Sequence, residues 1–154
     1  MRITILSIGK FENSPHKAVF ENYLKRLKWK LELKELDVKN ANNLSEQEKK
    51  KEEGALILKA LKPSSKMIAC DENGKQFKSR DFAKLLSDFA LRGESDLTFV
   101  IGGSDGLAAE VLQKSAVKIS FGLATMPHLM VRSVLVEQLY RAQTIIEGHP
   151  YHRD

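Results

Sequence analysis

Apolar positions along the chain switch repeatedly between a period of two and a period near 3.6, and the switches mark out the elements. Arg2-Ile3-Thr4-Ile5-Leu6-Ser7-Ile8 reads as a strand that ends at Gly9. Val19, Phe20, Tyr23, Leu24 and Leu27 then form a helical stripe, with Ser14 as its N-cap and Pro15 at the first position. Leu31 to Val38 is strand-like, but its alternation changes phase between Leu33 and Leu36, which predicts a bulge or an edge strand. Ser45-Glu46-Gln47-Glu48 is a capping box that opens a helix to about Leu61, stopped by Pro63. Lys66 to Cys70 is a third strand and Asn73-Gly74 a tight turn. Ser79 is read as the cap of a helix carrying Phe82, Leu85, Leu86 and Phe89 on one face, with Gly93 past its end. Leu97–Ile101 is strand four, Leu107–Gln113 a short helix and Val117–Phe121 strand five. Strands alternating with helices predict a mostly parallel sheet with helices on both faces, a single α/β domain spanning residues 1–154.

The last helix, about Leu129 to Glu147, is apolar around more than one stripe: Leu129, Met130, Val131, Val134, Leu135, Val136, Leu139, Tyr140, Ala142, Ile145 and Ile146. Such a helix is buried on two sides. With the sheet on one side and few loop residues left to cover the other, the pattern predicts a second copy of the chain there, hence a homodimer.

Composition narrows the classes. No apolar run reaches the roughly 18 residues of a membrane span, and Met1-Arg2-Ile3-Thr4 enters a strand directly, with no signal-peptide pattern. The single cysteine, Cys70, excludes an internal disulfide and suits the cytoplasm. The net charge of +5 is uneven: residues 1–62 hold 14 Lys/Arg against 9 Asp/Glu, and residues 63–154 hold 11 of each. An anionic partner fits the first part, whereas the second must bind without bulk positive charge. The Lys49-Lys50-Lys51 run is read as a solvated helix face.

Two strand ends dissolve into small residues, Gly102-Gly103-Ser104-Asp105-Gly106 and Gly122-Leu123-Ala124-Thr125-Met126-Pro127, where bare main chain can approach a ligand. Neither is a dinucleotide fingerprint, Gly9-Lys10-Phe11 lacks phosphate-binding glycines, and P-loop, zincin and nucleophile-elbow patterns are absent. His149-x-x-His152 has Pro150 between its histidines and no further ligands nearby in sequence, so no metal is expected. Arg141 follows Glu137 by four residues, the spacing of a helix-surface ion pair, and Arg132 sits among apolar neighbours where a charge needs a partner. The chain closes on a titratable and aromatic tail, His149-Pro150-Tyr151-His152-Arg153.

Taken together, Ile101-Gly102-Gly103-Ser104-Asp105-Gly106-Leu107, Pro127-His128-x-x-x-Arg132, Glu137-Gln138-Leu139-Tyr140-Arg141-Ala142 and Tyr151-His152-Arg153 resemble the RlmH family of SPOUT-class methyltransferases. The resemblance also covers the opening Ile3 to Lys10 and is densest from Leu97 onward. It implies a SPOUT-type fold with a C-terminal trefoil knot, a homodimer without metal or membrane attachment, and transfer of a methyl group from S-adenosylmethionine (SAM) to N3 of a pseudouridine in 23S rRNA. The acceptor RNA is expected within the assembled ribosome. It further implies SAM held by Cys70, by Gly103 and by the loop Gly122, Leu123, Ala124, Thr125, Met126 and Pro127. The tail of one subunit would reach its partner's cofactor, with His152 the first candidate for the proton-accepting group, Tyr151 a stacking or orienting group, and Arg141 a grip on phosphate or a base carbonyl. His128, Arg132 and Arg153 are the expected substrate contacts. Two other classes compete with this reading: a small nucleotide-dependent oxidoreductase, and a non-enzymatic ribosome-associated binding module.

Overall fold

A computed structural model describes residues 1–153. Five strands, β1 (Arg2–Ile8), β2 (Lys30–Leu36), β3 (Lys66–Gln76), β4 (Asp96–Ile101) and β5 (Val117–Ser120), form one sheet in the order β2-β1-β4-β3-β5. Every pairing is parallel. The helices are α1 (Pro15–Arg26), α2 (Glu46–Ala60), α3 (Ser79–Leu91), α4 (Ala109–Lys114) and α5 (His128–Ile146).

Strand alternation divides the core in two, because successive side chains leave a strand on opposite faces. Ile3 and Ile5 of β1, Ile68 of β3 and Phe99 of β4 point to the face carrying α1, α3 and α5, where Phe20, Phe82, Leu86, Phe89, Leu135 and Leu139 meet them. Leu6, Ile8, Met67, Ala69 and Val100 point the other way, against Ile57 of α2 and Val111 of α4. The predicted capping box closes α2: Glu48 N–H donates to Ser45 Oγ at 3.3 Å, and Ser45 N–H to Glu48 Oε2 at 2.9 Å.

β2 is an edge strand, one of the two outcomes its phase change allowed, and it carries no bulge, since it pairs with β1 without a break in register. Other local expectations change. Asn73-Gly74 is no tight turn; β3 runs through to Gln76, and residues 71–74 loop out between Cys70 and Lys75, which both pair with Ile119. Glycine is required in that loop, since a Cβ on Gly74 would stand 2.5–2.8 Å from the main chain of Ile119. Ser79 is the first residue of α3 and not its cap, and its hydroxyl donates to Gln138 on α5.

The two-sided burial of α5 also has another cause. The helix lies between α1 and α3 of its own chain, over the sheet. Leu135, Val136, Leu139 and Ala142 are buried without a second copy. What stays half-buried is a narrower stripe, Val131, Val134, Gln138 and Arg141, with Met130 exposed beside it.

Because the sheet is wholly parallel, the carboxyl ends of all five strands share one edge. In open α/β sheets the crevice beyond that edge is where ligands bind.

Candidate functional site

A cavity of about 710 Å³ opens at this edge beyond β3, β4 and β5. Three loops line it: Cys70 to Asn73 after the regular part of β3, Ile101 to Leu107 after β4, and Ser120 to Met126 after β5, with His128 and Val131 from the start of α5. Of the expected cofactor contacts it gathers Cys70, Gly103, Gly122, Ala124, Thr125 and Met126. Leu123 is outside the lining and almost fully exposed, and Pro127 is the N-cap residue of α5.

Short hydrogen bonds fasten the loops. Gly106 N–H donates to Gly103 O at 3.2 Å, and a Cβ on Gly102 would lie 2.6 Å from the Gly106 carbonyl carbon and oxygen, so the turn closes only with glycine there. Lys49 on α2 donates to Ser104 Oγ and Asp105 Oδ2, each at 3.1 Å. That ion pair holds Lys49 on the glycine turn, and Lys50 lines the cavity, so only Lys51 keeps the solvated role read for all three lysines. Ser120 Oγ donates to Gly122 O at 2.7 Å, and Thr125 Oγ1 to Glu72 Oε2 at 3.1 Å, which ties the loop after β5 to the looped-out residues of β3.

Burial, then the neighbouring Asp71, push the Cys70 thiol up, so it stays protonated and serves as a small packing surface and not as a nucleophile. His128 is held below its ordinary value by burial, then by the charges of Arg132 and Lys49, so its ring is neutral at pH 7. Glu46, Asp71 and Glu72 face Lys50 and Lys118 around the rim, while Asp105 is neutralised by Lys49. The balance favours a cationic ligand over a pyrophosphate.

Arg132, expected as a substrate contact, is corrected: it is fully buried. Its Nη2 donates to the carbonyls of Ile8 (2.6 Å) and Gly9 (2.9 Å), its Nη1 to Glu35 Oε1 (2.9 Å), and its guanidinium stacks on Phe11 at 4.8 Å. Glu35 Oε1 also accepts the Phe11 N–H. The end of β1, where a dinucleotide-binding fold places its phosphate loop, is therefore filled by protein. Glu35 escaped the sequence reading because nothing local marks a carboxylate 97 residues away as the partner of Arg132.

The structure brings Arg141, Tyr151 and His152 together, but not onto their own chain's cavity. The tail folds back on α5. Tyr151 Oη donates to Glu137 Oε1 at 3.0 Å and lies 3.2 Å from Tyr23 Oη, whose own hydroxyl proton can close that contact, and its ring packs edge-on against Tyr140. Arg141 Nε donates to Glu137 at 3.0 Å, and its guanidinium lies over the Tyr151 ring at 4.8 Å. Arg141 Nη1 sits 3.4 Å from His152 Nδ1, and Arg26 of α1 covers the Tyr140 ring at 4.6 Å. The Glu137–Arg141 pair, read as a surface contact, is thus the partly buried hub that docks the tail. Arg153 is exposed. At 1.5 Å per residue, Arg141 lies roughly 20 Å along α5 from His128. A smaller cavity of about 230 Å³ shares Ile119 to Gly122 with the first and continues along α5 past Val134 and Gln138. At its end Gln138 donates to Glu137 Oε2 of the tail cluster at 2.6 Å. No group of three or more His, Cys, Asp or Glu among the described residues is placed to hold a metal, and no helix is long and apolar enough to cross a membrane.

This geometry can be set beside known proteins. A family model described as "Predicted SPOUT methyltransferase" matches residues 1–152. Relatives named ribosomal RNA large subunit methyltransferase H include one from Rhodospirillum centenum, 40% identical over 99% of both chains. Another, from Carboxydothermus hydrogenoformans, is 46% identical over 99% of this chain and 100% of its own. Among solved structures, a methylase-family protein from Haemophilus influenzae superposes with a TM-score of 0.55 at 16% identity, over 99% of this chain and 70% of that one. A methyltransferase from Legionella pneumophila, solved with SAM bound, gives 0.51 at 10% identity, over 92% of this chain and 66% of that one. The chain belongs to the SPOUT methyltransferase family, among the relatives named ribosomal RNA large subunit methyltransferase H.

Proposed function

We propose that this protein uses SAM to methylate N3 of a pseudouridine in 23S rRNA, on the assembled ribosome in the cytoplasm. The observation that carries the proposal is the cavity of about 710 Å³ built mainly from the loops after β3, β4 and β5. It is of ordinary size for a small-molecule site. SAM fits its chemistry: the ligand is a sulfonium without phosphates, the rim is net acidic, and the loops offer main-chain groups for an adenine edge and a ribose. Cys70, Gly103, Gly122, Ala124, Thr125 and Met126 are the residues that would hold it. When bound, SAM supplies an electrophilic methyl group.

The protein's own work is to position the acceptor base and accept its proton. His152 is the proposed acceptor. Arg141 carries donors only, so in the docked tail it faces a lone pair on His152 Nδ1. Freeing that nitrogen requires Arg141 to turn away, consistent with a role for Arg141 on RNA phosphate or a base carbonyl. Tyr151 supplies a ring for stacking. His128, neutral at the cavity wall, and exposed Arg153 complete the proposed substrate contacts.

A homodimer belongs to this reading. The tail cluster stands at the far end of α5 from its own cavity, and the half-buried stripe Val131, Val134, Gln138 and Arg141 joins the two. A second copy laid on that stripe would bring one subunit's tail to the other's cofactor. The C-terminal trefoil knot and the action of the whole chain as one catalytic domain are part of the same proposal.

Labelled methyl transfer from SAM tests it. Intact ribosomes are expected to be methylated faster than naked rRNA, since residues 63–154, which supply most of the cavity, carry no net charge to attract free RNA. Equal rates would remove the ribosome from the proposal, and no transfer to either substrate would remove the activity. Gly102→Ala forces a methyl group onto the Gly106 carbonyl and should weaken SAM binding about 5- to 150-fold, matching the roughly 1–3 kcal/mol of overpacking. Calorimetry with SAM reads this directly; an unchanged affinity would place the ligand elsewhere.

A further inference from the structure

The basic excess of the first half of the chain includes an unbroken cationic stretch where α1 meets the tail. Lys25, Arg26, Lys28 and Lys30 come in succession with no acidic residue between Glu21 and Glu32, and all four are exposed. Arg26 differs from the others in what surrounds it. Its guanidinium carbon lies 4.6 Å from the ring centre of Tyr140, 5.3 Å from that of Tyr151 and 5.6 Å from that of Tyr23. The rings themselves form one cluster, with Tyr140 5.9 Å from Tyr23 and 4.7 Å from Tyr151. Two neighbouring cations are neutralised, Arg141 by Glu137 and Lys28 by Glu147. Arg26 makes no ion pair or hydrogen bond among the described residues. Its charge is held by aromatic faces, which leaves its five N–H donors open to an anion.

Packing against the rings needs no charge, so an uncharged side chain would serve a purely structural role. A guanidinium on aromatic faces keeps a planar fork matched to phosphate. We propose that Arg26 binds a backbone phosphate of the acceptor RNA, beside the nucleotide whose base meets Tyr151 and His152. The tyrosines fix the guanidinium before RNA arrives, so little side-chain freedom is lost on binding. Tyr151 belongs to the same ring cluster, so the grip on the backbone and the stacking ring are set at one place. A phosphate contact fixes register and orientation without reading sequence. The inference rests on the reading of the tail as the part that meets the acceptor.

Methyl transfer to intact ribosomes, followed over a range of KCl at fixed magnesium, tests this with three variants. Arg26→Gln should raise the ribosome KM about 10-fold, the effect of losing one charge-assisted contact, with kcat nearly unchanged and the SAM Kd as in wild type. The slope of log KM against log salt should become shallower by about 0.7, the value for one phosphate on a single strand. Arg26→Lys should restore the slope but not the whole affinity, because an ammonium lacks the fork. Lys25→Gln removes an equal charge from the adjacent exposed position and should change KM much less. A Lys25→Gln variant as impaired as Arg26→Gln overturns the proposal, since the effect would then be a diffuse field. So does an Arg26→Gln variant with the wild-type KM and salt slope. An Arg26→Gln variant that loses kcat and thermal stability with the slope unmoved also overturns it, because a strut for the tail behaves that way. Wild-type protein inactive on ribosomes and naked rRNA alike overturns the acceptor reading, and this proposal with it.

Discussion

Replacing Arg132 by methionine is expected to destabilise the fold by about 3–5 kcal/mol, the cost of removing one partner from a buried charged network. For a chain of this size that lowers the unfolding midpoint by roughly 6–20 °C. The guanidinium is fully buried and joins three places: the carbonyls of Ile8 and Gly9 at the end of β1, Glu35 on β2 and the start of α5. Methionine fills part of the volume but leaves two carbonyls and a carboxylate without their donor. Arg132→Lys should recover little, because an ammonium on a flexible stem does not reproduce the planar fork. Since His128 stands one turn from Arg132, the same change should loosen the cavity wall. Thermal and urea unfolding measure the effect, and a methionine variant within about 1 kcal/mol of wild type would show that the clamp contributes little.

The other large effect belongs to the tail. His152→Ala should lower single-turnover methyl transfer roughly 10²- to 10⁴-fold, the range for losing a positioned acid–base group. SAM affinity should stay as it was, because the residues proposed to hold SAM belong to the loops after β3, β4 and β5 and do not include His152. Tyr151→Phe should act more mildly: it removes the hydroxyl bonds to Glu137 and Tyr23 that dock the tail but keeps the ring against Tyr140. Unchanged turnover in His152→Ala would take that residue out of the mechanism.

Periodicity was enough to place the strands and helices, because a two-faced parallel sheet leaves few ways to bury alternating residues such as Ile3, Ile5, Leu6 and Ile8. Lone local features misled where tertiary contact decided the outcome. Asn73-Gly74 has turn chemistry, yet the sheet continues past it because Lys75 and Gln76 find partners on β5. The apolar excess of α5 indicated a second subunit, although α1 and α3 cover most of it; the pattern reports burial on several sides without saying by what. The small-residue loops pointed to the cavity because bare main chain is itself the signal there. Glu35 and Glu137 were not legible as site residues. Each is an ordinary carboxylate on a strand or helix, and its meaning comes from a partner brought by the fold: Arg132 and the Tyr151 hydroxyl.

The central claim is that the loops after β3, β4 and β5 hold SAM. Titrating the isotopically labelled protein with SAM while following its backbone amides tests that claim most directly. Saturable shifts at one SAM per chain, concentrated on residues 70–73, 102–106 and 120–126, are the predicted result. Shifts gathered at the outer β2 edge, or no saturable change at all, would contradict it.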